Sequence, residues 1–438
     1  MSPRAEEPRQ QDRSPRSGPP LHVAIIGAGI GGLALAQGLE QAGVSVAVYE
    51  RDVSPDFRRQ GYRVTLHPPG ARQLRRCLSP AHWERILAAS QKWKAPRAVN
   101  ERLETLLSVP TAKMREPSRS INRLTLRRIL LDGLEDVVHF GKAFERYEET
   151  PGGTVIVHFK DGTSAPCDVM IGADGNQSRV RRQLLPQHAE LSDTGYRDLA
   201  GKMILTPETR REIESLGLES LMIVSETAGH TMVLIRQEFH HPAAGEASAL
   251  PAEDTEDYVY WGLIAPAGHF ASATNLERPD AAALKQRALE MTRDWHPVFR
   301  RLLELTDPAN INLLSLRTSV PHGHWGTRRV TLLGDAIHSM VPMRGQGANT
   351  AIRDAALLTE RLTAAHRDGT SVTEALHAYE VEMLEYGFDA VRASLSTLHQ
   401  SMAGTRFTRS LFHGALKAVN RTVLVVARFI PDPRVQGE

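Results

Sequence analysis

Cysteine is almost absent from this 438-residue chain, with Cys77 and Cys167 the only two. Two thiols so far apart make no disulfide framework, and such a chain fits a reduced compartment, here the cytoplasm. Long apolar runs are also missing. Nothing approaches the roughly 20 consecutive apolar residues that span a bilayer. The nearest, Val423 to Ile430, is bracketed by Arg421 and interrupted by Arg428, as in a packed C-terminal helix, so no stable membrane insertion is expected. Net charge is only +2, which leaves no electrostatic case for a nucleic-acid partner. No nucleophile triad or carboxylate pair stands out. His240-His241 and His322-x-His324 lack a cysteine or carboxylate at useful spacing, so no metal site is expected.

What the chain does have is the composition of a globular protein, 41% hydrophobic and 24% charged. Its length suits more than one domain, at roughly 150 residues each. Residues 1–20, rich in Pro, Arg, Ser and Gln, read as a disordered tail. Order begins with the largely apolar run Leu21 to Ile26, a parallel strand buried on both faces. A helix from Ile30 to Ala42 follows, and Val44 to Tyr49 forms a second strand ending at Glu50, which completes a βαβ unit. Residues 21–190 and 320–400 are expected to form one discontinuous domain on a parallel sheet. Strand candidates at Leu221–Val224, Thr231–Arg236 and Tyr258–Ile264 alternate with polar loops. They place a second, antiparallel-sheet domain at 191–319, with a mobile loop from His240 to Thr255. Residues 401–438 read as a C-terminal helix.

Three glycine-rich patches lie on this framework. In the first, Gly27 permits the tight turn, Gly29 lets the backbone approach a pyrophosphate, and Gly32 allows close helix–strand packing. The N–H groups opening the following helix hold phosphates without a basic side chain. Glu50 stands where a carboxylate accepts from ribose hydroxyls. This patch alone does not separate FAD from NAD. The second patch is Asp168 to Gly175, containing Asp174, followed by Arg179. The third runs from Gly334-Asp335 through Pro342 and Gly345-Gln346-Gly347-Ala348 to Asp354. Its strand delivers Asp335 to the carboxyl edge of the sheet, where hydrogen bonding to ribityl hydroxyls is the sensible role. The helix starting near Ala348 can face the pyrimidine edge of a flavin, where negative charge collects on reduction. His338 reads as structural.

The three motifs in this order resemble the class A, single-component flavoprotein monooxygenases, the family related to para-hydroxybenzoate hydroxylase and tetracycline-inactivating monooxygenases. The resemblance covers residues 21 to about 400. It implies a Rossmann-like FAD-binding domain, a substrate domain and C-terminal helices. It also implies FAD contacts at Glu50, Arg51, Gly61 and Arg123, the last in an Arg-x-x-Leu pattern at a helix start. Where relatives often carry a small residue beside the flavin this chain has Arg63, which is placed to hold an anionic substrate or the flavin itself.

The implied reaction spends NAD(P)H to reduce FAD, adds O2 at the flavin C4a position to give a hydroperoxide, and passes one oxygen to a phenol, enol or alkene. The small-molecule substrate is expected between flavin and middle sheet, with Tyr196, Met203, Met222, Met232, Tyr260 and Trp261 as candidate lining residues beside Arg63. No general base is nominated. A flavin-dependent halogenase is a rival on the same fold, but Trp261-Gly262-Leu263-Ile264-Ala265-Pro266 keeps only the first Trp and the Pro of the W-x-W-x-I-P motif. An oxygen-independent reductase and a non-catalytic flavin scaffold are the others.

Overall fold

The computed structural model describes residues 21–55, 63–94, 96–108, 116–227, 229–239, 256–273 and 280–429, with backbone alone at 271–273 and 422–429. The expected N-terminal tail, the loop from His240 to Thr255 and Gly61 lie outside the described residues.

The chain opens with β1 (His22–Ile26), α1 (Ile30–Gln41) and β2 (Ser45–Tyr49), the expected βαβ unit. Strand β3 (Arg63–Leu66) leads into α2 (Pro68–Arg76) and α3 (Pro80–Ala89), each opened by a proline that suits the first helical turn. Short strands β4 (Gln91–Lys92), β5 (Arg97–Asn100), β6 (Thr105–Ser108) and β7 (Arg119–Asn122) precede α4 (Arg123–Leu131). Asn122 caps α4 by accepting from the Leu124 and Thr125 amides. After β8 (Val138–His139) comes a meander of β9 (Phe144–Glu149), β10 (Val155–Phe159) and β11 (Ser164–Cys167). The chain then re-enters the parallel sheet through β12 (Val169–Gly172) and leaves by α5 (Arg179–Leu184).

The middle section holds β13 (Ser192–Ile204), α6 (Pro207–Glu212), β14 (Leu221–Ser225), β15 (Thr231–Gln237) and β16 (Tyr258–Pro266). Helices α7 (Ala281–Met291) and α8 (Pro297–Leu305) and strand β17 (Ile311–Thr318) finish it. Strand β18 (Val330–Leu332) returns to the first sheet. A single turn, α9 (Asp335–His338), and the long helices α10 (Gly347–Asp368), α11 (Val372–Met402) and α12 (Arg406–Phe429) follow.

Two sheets organise these elements. The first is parallel, in the order β18-β12-β1-β2-β8. Its strands are apolar almost throughout because helices α1, α10 and α11 and the meander bury both faces. The second has seven strands in the order β17-β13-β16-β15-β14-β5-β6. Its last two strands come from residues 97–108, which were expected to lie wholly within the cofactor domain. β5 pairs parallel to β14, a contact between segments more than a hundred residues apart that no local pattern announces. Helix α12 then packs beside β6, where Asn420 Oδ1 accepts from the Ser108 amide at 2.9 Å. Among the described residues no helix is long and apolar enough to cross a membrane.

Side chains alternate across the second sheet. One set, including Leu199, Met203, Met222, Val224, Met232, Leu234, Trp261 and Leu263, packs with α7 and α8 into a closed apolar core. The other set turns toward the parallel-sheet domain. On that side Ile264 and Leu316 meet Val341, and the Ser120 hydroxyl donates to Gln237 Oε1 at 2.8 Å.

Candidate functional site

The three glycine-rich patches converge on one cleft of about 600 Å³. The first supplies the turn from β1 into α1. Gly27 adopts φ 111°, and a Cβ there would stand 2.5 Å from the Ala173 carbonyl of the second patch. A Cβ on Gly32 would fall 2.2 Å from the Gly27 carbonyl. Gly29, by contrast, has nothing within 4 Å of that position, so its backbone faces open space in the cleft. No side chain caps α1 and no acidic residue sits in its first turn. Its amide end is thus left for an anion.

Glu50 closes the same end. Its carboxylate accepts from the Ala28 amide at 2.8 Å and the Asp52 amide at 3.0 Å. Arg51, Arg123, Arg127, Lys142, Lys160 and Arg179 also line the cleft. A helix N-terminus, a ring of cations and a buried carboxylate at the end of the second strand fit a dinucleotide with a charged pyrophosphate. These residues would hold FAD.

The second and third patches shape the far end. Asp174 Oδ2 accepts from the Arg179 amide at 2.7 Å, while its Oδ1 is buried without a protein partner. Burial raises the Asp174 carboxyl above its ordinary range despite those amides. Asp335 is open to the cleft, yet protein crowds round the rest of it and raises its pKa as well, with His338, Arg123 and Arg181 pulling the other way. Gly345 lies at φ 59°, and Gly347 opens α10 with its Cβ position 3.7 Å from Asp335 Oδ1. Ala348 follows on the first turn of α10, which carries neither a side-chain cap nor an acidic residue. The third patch thus folds back onto its own aspartate.

Two devices that the sequence did not disclose hold this end in place. Asp354 Oδ2 accepts from the Gly334 amide at 2.8 Å and meets His338 Nε2 at 2.7 Å, while Tyr386 donates to Oδ1 at 2.6 Å. Both His338 and Asp354 are fully buried. Burial alone would lower the His338 pKa, but the Asp354 carboxylate overrides it and raises it. Arg181 reaches from α5 to the carbonyls of Ala336 and Asn176. Arg127 was missed too: its Nε donates to the Ala28 carbonyl at 2.9 Å, and Glu50 lies 3.9 Å away. Its signal was available one turn beyond Arg123, on the same helix face.

Arg63 opens β3, two residues before Thr65, whose side chain lies 3.6 Å from the Cβ position of Gly345 in the third patch. It donates to Ser120 Oγ at 2.9 Å and Thr65 Oγ1 at 2.8 Å, lies over the Trp93 ring, and forms no ion pair among the described residues. Burial lowers its pKa to about 10, with Tyr258 and Tyr260 near enough to counter part of the shift. It therefore remains a cation at neutral pH. Tyr196 and Tyr260 share the sheet face turned this way.

The methionines and the tryptophan do not. Met203, Met222, Met232 and Trp261 belong to the opposite alternation and are sealed in the core beneath α7 and α8. Trp261 Nε1 even donates to Thr306 Oγ1 on that side, at 2.9 Å. The expectation that they line the substrate space is corrected. The pattern showed the strands, but with both faces apolar it did not show which set of side chains faced the cofactor.

Outside the cleft, His324, His377 and Glu380 gather their donor atoms within 4.8 Å. Thr327 already bonds Glu380 and His377, and His324 bonds Glu380 directly. Cys77 and Cys167 are buried free thiols that burial pushes up to about 12, far from nucleophilic use at neutral pH.

Comparison with known proteins agrees with this geometry. Residues 116–394 match the FAD binding domain family, and residues 25–86 match the NAD(P)-binding Rossmann-like domain. A dual O-methyltransferase/FAD-dependent monooxygenase, elcB of Phaeosphaeria nodorum, is 34% identical over 378 residues. That alignment takes in 77% of this chain but only 40% of elcB, so the chain spans about two fifths of that relative's length. The FAD-dependent monooxygenase thnD of Trichoderma harzianum is 30% identical over 405 residues, covering 85% of this chain and 92% of thnD. A crystal structure from Photorhabdus luminescens, described as an FAD-containing monooxygenase, superposes with a TM-score of 0.78 at 31% identity. It covers 87% of this chain and 98% of its own. With its three motifs gathered round one dinucleotide cleft, this chain belongs to the FAD-dependent, class A flavoprotein monooxygenase family.

Proposed function

We propose that this protein is an NAD(P)H-consuming monooxygenase that hydroxylates or epoxidises an aromatic, enolic or alkene small molecule of secondary metabolism. One juxtaposition carries the reading. Arg63 on β3 bridges the third patch and the seven-stranded sheet: it donates to Thr65, which lies 3.6 Å from the Cβ position of Gly345, and it stands near Tyr260, which in turn donates to the buried Asp198. When bound, FAD supplies the redox chemistry that makes oxygen reactive toward carbon.

The chain's own residues supply placement. Glu50 binds ribose hydroxyls, the uncapped start of α1 binds the pyrophosphate, and Asp335 with Gly347 and Ala348 borders the ring end. Arg63 holds positive charge where an anionic substrate or the reduced ring would sit. The sheet and the helices behind it exclude water. The monooxygenase names of the relatives support the same assignment.

The test is oxygen consumption by the FAD-loaded protein with NADPH or NADH, against a panel of phenols, enols and alkenes. A compound that accelerates oxygen uptake without equivalent peroxide release supports the assignment and identifies the substrate class. Flavin reduction followed by reoxidation by a compound in the absence of oxygen would replace it with a reductase.

A further inference from the structure

Asp198 lies mid-strand in β13, on the face turned toward the cofactor domain, and is only 4% exposed. Carboxylates are rarely buried so completely without a cation or several donors. Asp198 has one donor, the Tyr260 hydroxyl, at 3.1 Å from Oδ2. Its Oδ1 is buried with no partner. Only glycine fits at position 262 on β16 beside that oxygen, since a Cβ there would stand 2.7 Å from Oδ1 and 2.8 Å from the Tyr260 oxygen.

The row continues across the sheet. Asp198 is in register with Ile264, and Ile264 with Thr231, whose hydroxyl is also buried and unpartnered. One face of one sheet thus keeps a carboxylate oxygen and a hydroxyl without protein partners.

Among the described residues, the charged and titratable groups around Asp198 are few. On β16 they are Tyr260 and Tyr258, and on β3 Arg63 stands near both tyrosines. On β13 itself are Lys202, whose ammonium lies 4.9 Å from the Tyr258 ring centre, and Tyr196, with His399 of α11 and Arg409 of α12 beyond it. None forms an ion pair with Asp198.

We propose that Asp198 is the base that takes the proton of a substrate hydroxyl, with Tyr260 and Arg63 as positioning residues, so that the substrate is a phenol or enol rather than a simple alkene. This rests on the monooxygenase reading above. The substrate O–H bond breaks, its proton passes to Asp198 Oδ1, and the electron pair stays on oxygen. That raises electron density on the carbon ortho or para to it, or on the enol α-carbon. That carbon gains one atom of O2, the other leaves as water, and NAD(P)H supplies the two electrons. The product's C–H proton passes to that departing oxygen and completes the water, one proton from solvent enters with the NAD(P)H hydride, and the proton held by Asp198 re-forms the hydroxyl. Burial pushes the carboxyl up to about 6 while the Tyr260 hydrogen bond restrains it, a value suited to a base working near neutral pH.

The experiment compares wild-type, Asp198→Asn and Tyr260→Phe as FAD-loaded proteins, with rates normalised to bound flavin. The probes are resorcinol, a series of 4-substituted phenols of graded acidity, their methyl ethers and a simple styrene. Asp198→Asn should lower phenol-stimulated oxygen uptake by about 10²- to 10⁴-fold. It should also abolish the acid limb of the pH profile, and its deficit should shrink as the phenol becomes more acidic. Tyr260→Phe removes the hydrogen bond that restrains the carboxyl and should move that limb to higher pH. The methyl ethers, which have no proton to give, should not be turned over.

An Asp198→Asn enzyme with wild-type rate and an unchanged acid limb overturns the assignment while the monooxygenase reading stands. Turnover of the styrene and ethers but not the phenols does the same. A wild-type enzyme that consumes no oxygen with any probe overturns both. If Asp198→Asn does not retain flavin, the limb in Tyr260→Phe decides, and an unmoved limb rejects the proposal.

Discussion

The two faces of the seven-stranded sheet are made from the same strands by alternate residues, yet they solve different problems. Beneath α7 and α8 the face is apolar and closed: Trp261, Phe299, Leu302 and Leu303 are all fully buried and touch only one another and their neighbours. The one polar atom of Trp261 is satisfied locally by Thr306. The face toward the cofactor domain instead carries Asp198 and Thr231 with unpaired atoms, and Arg63 of β3, which forms no ion pair among the described residues, stands near its tyrosines. Burial of that kind weakens a fold. Stability is drawn from one face and spent, in part, on the other, where unsatisfied groups wait for a ligand.

If this division holds, substitutions on the two faces should differ in sign as well as size. The largest effect belongs to the closed face. Trp261→Ala should destabilise the protein by about 3–5 kcal/mol, as expected for emptying a packed core position. Denaturant melts would show it, and a loss below 1 kcal/mol would mean the core is looser than its burial indicates.

Asp198→Asn should move stability the other way. The folded carboxyl titrates at about 6 against an ordinary 3.8, so the folded state binds the proton more tightly than the unfolded chain. Well below pH 3.8 the group is neutral in both states and contributes no penalty. As pH rises toward 6 the wild-type protein loses stability, reaching about 3 kcal/mol by the conversion of that shift. The melting-temperature advantage of Asp198→Asn should therefore be small at pH 4, grow to about pH 6 and level off above it. An advantage that shrinks with rising pH would contradict the buried-carboxylate account.

The smallest contrast uses two glycines. A Cβ on Gly201 would strike the Trp261 ring at 2.4 Å, whereas one on Gly262 would meet Asp198 and Tyr260 on the other face. Gly201→Ala should cost about 1–3 kcal/mol through overpacking. Gly262→Ala should lower the melting temperature less, because the atoms it meets are the ends of the Asp198 and Tyr260 side chains, which can turn aside, and should reduce substrate turnover more.

The same contrast explains what could be read from sequence. The cofactor end was legible because its chemistry is local. Gly27 to Gly32, Glu50, Asp174 and Gly334-Asp335 each lie within a short segment whose turn or helix start dictates the residue type. The middle sheet was legible only as strands. In β15 and β16 nearly every residue is buried, so neither alternation set is marked as the solvent side, and Met232 and Trp261 were placed on the wrong one. β13 was harder still. Gly195, Asp198 and Gly201 are poor strand formers; Gly195 lies at φ 77° where the pairing with β17 slips, and Gly201 and Asp198 are present because of what stands across from them, Trp261 on one face and Tyr260 on the other. Asp198 was therefore passed over. So was the pairing of β5 with β14, since register between distant segments is set by packing that no window of sequence contains. Arg181 and the His338–Asp354 pair were visible as residues but not as braces, because their partners are backbone groups and a helix brought close by folding.

The measurement that tests the division most directly is a paired assay of Gly201→Ala and Gly262→Ala. Melting temperature and phenol-stimulated oxygen uptake per bound FAD would be recorded for both alongside the wild type. The two-face account predicts that Gly201→Ala melts earlier but turns over at close to the wild-type rate, and that Gly262→Ala melts near the wild type but loses most of its turnover. Equal losses of both properties in both variants, or the reverse assignment, would show that the polar face is ordinary core and that the reacting substrate lies elsewhere.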